Sequence, residues 1–299
     1  MNFSIWGLTG SLNTEHEEQM AYAQERLWFW INAVDAACNR FDPSSEISTL
    51  NAAGAGTYPI SDTLELALDG ALRAAHMTNG LCDPTVLPAL LALGYDCDYD
   101  ELQQRDVTTA RTLVKPLGLG AVALDREHHT VTLSPLCQLD LGASAKAMVA
   151  DLVATDVGES GGVVVEIGGD VAVRAKNGPE PWAIGIGETL VASGHEPRVC
   201  LENGGIATSS TTTRTWRIGS QLANHIVDPR TGSFATGIYA VATVSAESCL
   251  SANAFATAAL LWGKDAGYHI AQAGWSARLV QHGGAVEFVG GWPPEDGPS

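Results

Sequence analysis

Three side chains able to hold or move a proton fall inside one short turn. In NHIVDPRTG, Asn224 to Gly232, residues His225, Asp228 and Arg230 surround Pro229. An aspartate before a proline can accept bonds from the backbone N–H groups that follow it and leave the histidine facing a cleft, where an imidazole acts as a base. The alternative is a turn in which the aspartate and arginine only brace each other. A second cluster, LDLGASAKAMVAD from Leu139 to Asp151, joins a strand end to small residues and a helix start, with Lys146 in the first turn. Free N–H groups at such a corner can hold an anion, and Lys146 adds a full positive charge. The phosphate-loop pattern G-x-x-x-x-G-K-[ST] is absent, so an ordinary corner with an exposed lysine stays open as the other reading. In the third cluster, SANAFATAAL, Asn253 and Thr257 stand four apart and share a helical face. Two oxygens on one face suit a hard cation such as Mg²⁺, whereas a threonine packed in a helix commonly bonds the carbonyl four residues back.

Residues so far apart in the chain need a rigid frame. The opening FSIWGLTGSL reads as strand, and the long helix after it is capped by Asn13 or Thr14, with Leu27, Ile31, Val34 and Cys38 on its buried face. SDTLELALDGALRAAHMTNG reads as a helix begun by Ser61 or Asp62 and closed by Asn79-Gly80. From about Ala121 the chain turns to short β runs such as VVVEIGGDVAVRA and YAVATVSA. Two helices interrupt them, one starting near Ser144 and one, ESCLSANAFATAALLWG, capped by Ser245. The Gly168-Gly169 pair reads as a bulge or bend, and GGIATSSTTTRTW as solvated edge structure. This order of elements points to an α+β fold of mixed, largely antiparallel sheets packed with helices. One domain over residues 1–290 and a frayed tail over 291–299 are expected.

The 299 residues carry 16 basic and 34 acidic side chains, a formal charge of −18 that disfavours nucleic acid and anionic membranes as partners. The six cysteines form no C-x-x-C pair and read as mostly buried thiols. Neither a G-x-S-x-G elbow nor a G-x-G-x-x-G loop occurs, which disfavours a serine hydrolase and a Rossmann oxidoreductase. The N-terminus shows no signal peptide and no run is long and apolar enough to span a bilayer. A cytoplasmic location is therefore expected for the sequence as written, and an exported one if its start has been trimmed.

Taken in order, FDPSSEISTLN, CDPTVLPALLALGY, LDLGASAKAMVAD, EIGGDVAV, GGIATSS, NHIVDPRTG and SANAFATAALLWG resemble the ApbE-type FAD:protein FMN transferases. The resemblance runs from about Trp6 to Gly263. It implies an ApbE-like fold and a Mg²⁺-dependent enzyme that takes FAD as substrate, releases AMP and joins FMN through a phosphoester to a threonine or serine of an acceptor protein. It equally admits a FAD pyrophosphatase giving FMN and AMP, or a FAD-binding protein without catalysis. Carried over by position, the metal would be held by the carbonyl of Ala143 with Asn253 and Thr257. The flavin nucleotide would be held by Phe41, Asp83, Thr85, Asp140 and Lys146. His225 takes the place expected to deprotonate the acceptor hydroxyl, supported by Asp228 and Arg230. The chain departs from the family pattern where Asn253 replaces an aspartate ligand, which implies weaker Mg²⁺ binding. Glu166 likewise stands where an asparagine usually precedes Gly-Gly-Asp, and could either face away or restore the charge missing at Asn253.

Overall fold

The computed structural model describes residues 1–105, 112–174, 181–187 and 197–293. Most of the expected C-terminal tail, from Pro294 on, lies outside the described residues. The chain divides into two compact units, the first comprising 1–30, 146–213 and 237–299 and the second 31–145 and 214–236.

Unit one is built on an eight-stranded sheet. Its strands follow chain order: Asn2–Ile5, Leu8–Thr14, Val163–Ile167, Asp170–Arg174, Gly204–Ser210, Tyr239–Ala246, Ser276–Gln281 and Val286–Val289. Every neighbouring pair is antiparallel, so the expected α+β class with antiparallel sheets holds. The opening segment is two strands rather than one, because Trp6 and Gly7 both adopt positive φ and form a two-residue turn. The Gly168-Gly169 pair is likewise a hairpin turn between Ile167 and Asp170, with Gly168 at φ 65°.

The hydroxyl-rich stretch from Gly204 corrects the sequence expectation. It is an interior strand, not an edge, and its hydroxyls pair within the fold: Thr208 with Thr243 at 2.9 Å and Ser209 with Thr257 at 3.1 Å. Composition misleads here because a buried hydroxyl with a partner looks, in sequence, like a solvated one. Alternation along the strands separates the two faces of the sheet. Val164, Val171, Val173 and Ile206 enter one apolar cluster with Trp292. Ala207 and Ala246 pack instead with Ala252 of the helix Cys249–Trp262. That helix is capped by Ser248, not Ser245, which is still part of the preceding strand. Asp151, on the helix Ala145–Gly158, accepts the N–H groups of Cys249 and Leu250 at 2.9 Å each and so fixes the helix start.

Leu27, Ile31, Val34 and Cys38 are buried along the helix Met20–Cys38 as expected. Its cap is displaced, since Thr14 closes a strand and the helical path begins after His16. Four of the six cysteines are buried, and burial pushes the Cys38 thiol up to about 12.

Unit two holds the helices Glu46–Ala53, Asp62–Met77 and Leu87–Ala92. It also holds a three-stranded sheet, Gly56–Pro59, Thr130–Leu133 and Val122–Asp125, and the hairpin Thr215–Ile218 with Gln221–Asn224. Ser61 caps the helix Asp62–Met77, and Asn79 and Gly80 turn it off in the left-handed region, as their residue types require. Leu90, Leu93, Tyr95, Leu102, Trp216 and Val227 form its apolar centre. Among the described residues no helix is long and apolar enough to cross a membrane.

Candidate functional site

In unit two, four of the five residues expected at the nucleotide, Phe41, Asp83, Thr85 and Asp140, are tied into one network. Arg40 Nε pairs with Asp140 Oδ2 at 2.6 Å, and its guanidinium lies over the Phe41 ring at 3.9 Å and the Tyr95 ring at 4.6 Å. The Asp140 N–H donates to the carbonyl of Pro84 at 2.9 Å, which links this group to the turn carrying Asp83 and Thr85. There Asp83 Oδ1 accepts both the N–H and the hydroxyl of Thr85 at 2.8 Å, while Thr85 Oγ1 accepts the Gly118 N–H at 2.9 Å. Asp83 and Thr85 are both buried and shape their loop.

Burial raises the pKa of Asp83 above its ordinary 3.8, against the two Thr85 bonds that lower it. A carboxylate shifted this way favours its protonated form in the fold, so stability falls as pH rises from the unfolded value through the folded one. Asp83→Asn keeps both acceptor bonds without the buried charge. It is expected to melt at a higher temperature than the unmodified chain at neutral pH, with the gain vanishing below 3.8. Melting curves at the two pH values test this; a gain that persists in acid would rule out charge burial as its source.

The turn carrying His225 is braced on both sides. Asn224, buried, donates to the Ala235 carbonyl at 2.9 Å and accepts the Ile226 N–H at 3.1 Å, holding the backbone on either side of the histidine. Asp228 binds Arg230 through both oxygens at 2.8 Å and accepts the Arg230 N–H at 2.9 Å. Gly232, at φ 76°, closes the turn against Val114, whose carbonyl oxygen would stand 2.2 Å from a Cβ there. His225 itself is half-buried. Asp228 and Arg230 thus spend their charges mainly on each other.

At the Lys146 corner the free-amide expectation is corrected. The N–H groups of Ser144 and Ala145 both donate to the Leu141 carbonyl, so two donors expected to be open to an anion are engaged. Ala143 is an exposed turn residue placed by the bond from the Gly142 N–H to Asp140 Oδ1 at 2.8 Å. Ala143 belongs to unit two, while Lys146, Asn253 and Thr257 belong to unit one. Within unit one, Lys146 Nζ lies 3.9 Å from Asp170 Oδ2, and Asn253 Nδ2 donates to Asp170 Oδ1 at 2.8 Å.

A family model described as the ApbE family matches residues 6–286. The chain belongs to the ApbE family. Among relatives of this ApbE chain, the FAD:protein FMN transferase of Chlamydia trachomatis is 30% identical over 79% of this chain and 74% of its own. That of Haemophilus influenzae is 26% identical over 89% and 77%. The crystal structure of the ApbE protein of Thermotoga maritima covers 97% of this chain with 96% of its own at a TM-score of 0.79 and 22% identity. That of Pseudomonas stutzeri flavinyl transferase ApbE covers 97% with 93% at 0.77 and 19%. At those identities the two structures bear on the fold, which is ApbE-like.

The donor set of this ApbE chain suits a hard cation with little protein charge. Asn253 and Thr257 are buried on one helical face. Asn253 Oδ1 is buried and accepts no hydrogen bond among the described residues, an arrangement costing roughly 1–3 kcal/mol unless something else takes up the oxygen. No group of three or more His, Cys, Asp or Glu able to hold a metal occurs among the described residues. Sequence reasoning missed Arg40, which has no motif of its own, and the bracing role of Asn224, which opens the NHIVDPRTG stretch. Asp170 was visible only as the residue after a glycine pair.

Proposed function

We propose that this chain is a FAD:protein FMN transferase, joining the FMN half of FAD to a threonine or serine hydroxyl of an acceptor protein and releasing AMP. What carries the reading is the likeness, over most of both chains, to a relative of that name at 30% identity. The braced turn around His225 supports it locally. In this reading the acceptor hydroxyl oxygen forms a bond to the phosphorus of the FMN half. The bond from that phosphorus to the AMP oxygen breaks, AMP leaves with the electron pair, and His225 takes the hydroxyl proton.

Phe41, Asp83, Thr85 and Asp140 are assigned to nucleotide binding, with Arg40 clamping Phe41 to Asp140. Lys146 is assigned to offset phosphate charge. Asn253 Oδ1 and Thr257 Oγ1 of unit one are the proposed holders of Mg²⁺, which when bound would supply charge neutralisation at the pyrophosphate. Transfer of this kind needs placement and electrostatics more than covalent help from the protein.

The test is incubation of the full chain with FAD, Mg²⁺ and an acceptor protein carrying a modifiable threonine or serine, followed by mass spectrometry and nucleotide chromatography. The expected result is an acceptor heavier by one FMN together with AMP. Free FMN and AMP at the same rate with or without acceptor would replace the transferase by a pyrophosphatase. FAD left intact with every acceptor would replace it by a binding protein.

A further inference from the structure

Asn253 is a neutral side chain, and the structure places a carboxylate directly against it. Asp170 is 2% exposed, and its Oδ1 accepts from Asn253 Nδ2 at 2.8 Å. A carboxylate only accepts, so the amide must turn its nitrogen to Asp170 and its oxygen away. The oxygen so turned is the buried Asn253 Oδ1 that accepts no hydrogen bond among the described residues. Carbonyl oxygens of this kind are ligands for hard cations, and the Thr257 hydroxyl lies one turn further along the same helix.

Glu166, the other carboxylate that could restore the charge, is on the wrong face. It stands opposite Val171, whereas Asp170 stands opposite Ile167, so the two acids alternate to opposite sides of the sheet. Glu166 is engaged there by the Ser11 hydroxyl at 2.7 Å.

We propose that Asp170 is a positioning residue for the divalent cation: it fixes the Asn253 amide with Oδ1 presented as a ligand and supplies, one hydrogen bond away, the negative charge that Asn253 lacks. The inference rests on the transferase reading above for the presence of a cation. Lys146, 3.9 Å from the other Asp170 oxygen, offsets that charge. Removing the carboxylate therefore leaves the Lys146 charge without this counter-charge as well as an amide able to turn over.

The experiment is Mn²⁺ titration of the full chain by electron paramagnetic resonance, without nucleotide and with saturating FAD. Asp170→Asn is expected to weaken Mn²⁺ binding about 10–100-fold. The double variant Asp170→Asn with Asn253→Asp moves the charge onto the ligand and keeps a donor facing an acceptor, and is expected to bind as the unmodified chain does. A merely structural Asp170 would give no such rescue. Should Asp170→Asn fail to fold, the comparison is between the double variant and Asn253→Asp alone, with binding expected to be about tenfold weaker in the double variant. Equal Mn²⁺ affinity with and without Asp170, absence of rescue in a folded double variant, or no Mn²⁺ binding by the unmodified chain would each overturn the proposal. Acceptor-dependent AMP release from FAD is read on the same proteins. Release without any effect of Asp170 on Mn²⁺ leaves the transferase standing and sinks this inference, and the expected Mn²⁺ pattern without release does the reverse.

Discussion

Replacing His225 with alanine is expected to lower FMN transfer about 10²–10⁴-fold, the usual contribution of a positioned general base, while FAD binding stays intact. The expectation depends on the turn surviving the change. Asn224 holds the backbone before and after position 225 through its own two hydrogen bonds, and Asp228 with Arg230 closes the next residues without the imidazole. Removing the ring therefore removes a proton acceptor and leaves these bonds in place. Because the lost interaction belongs to the transition state, kcat should fall and the KM for FAD should not rise. The measurement is single-turnover transfer beside the FAD-dependent rise in melting temperature. An equal loss of both would make His225 a nucleotide contact, and unaltered transfer would reject it as the base.

How far the sequence foretold this molecule depends on the kind of signal. Helix boundaries set by local chemistry were legible: Ser61 as a cap, and Asn79-Gly80 as a stop, act within a few residues of themselves. The turn around His225 was legible for the same reason, down to the bracing of Asp228 by Arg230. Features decided by partners distant in sequence were not. Nothing near Arg40 announces Asp140, and nothing near Asn253 announces Asp170, since each pair is made only when the chain returns. The hydroxyls of Thr208 and Ser209 misled for the same cause, being polar in sequence and satisfied in the fold. Family likeness supplied the candidate residues of the site, and the physical contacts then gave several of them a different emphasis. Asp228 and Arg230 hold a turn, and Lys146 faces a carboxylate.

Gly205→Ala is expected to destabilise the chain by about 2–5 kcal/mol, adding overpacking against backbone to the loss of a helix cap. Gly205 lies in the interior strand, paired with Ala172 and Ala246, and the start of the helix Cys249–Trp262 rests directly upon it. A Cβ there would stand 2.2 Å from Cys249 N and 2.3 Å from its Cα. Neither atom can rotate aside as a side chain would. The helix start is also pinned, because Asp151 holds the N–H groups of Cys249 and Leu250, and Ser248 holds that of Ser251. Accommodating one methyl group means bowing the strand or lifting the helix off these acceptors, which leaves the largely buried Asp151 carboxylate without the amides that offset its burial. Gly120→Ala is the control, since a Cβ there has nothing within 4 Å and should change stability by less than about 0.5 kcal/mol. Denaturant midpoints for the two variants decide the matter, and a Gly205→Ala midpoint equal to that of the control would refute the close approach. The same displacement reaches function, because Asn253 is four residues and Thr257 eight residues beyond Cys249 on one rigid helix. Lifting that helix separates Asn253 from Asp170 and Thr257 from Ser209 together, so a surviving Gly205→Ala protein should lose Mn²⁺ affinity with every proposed ligand side chain still present.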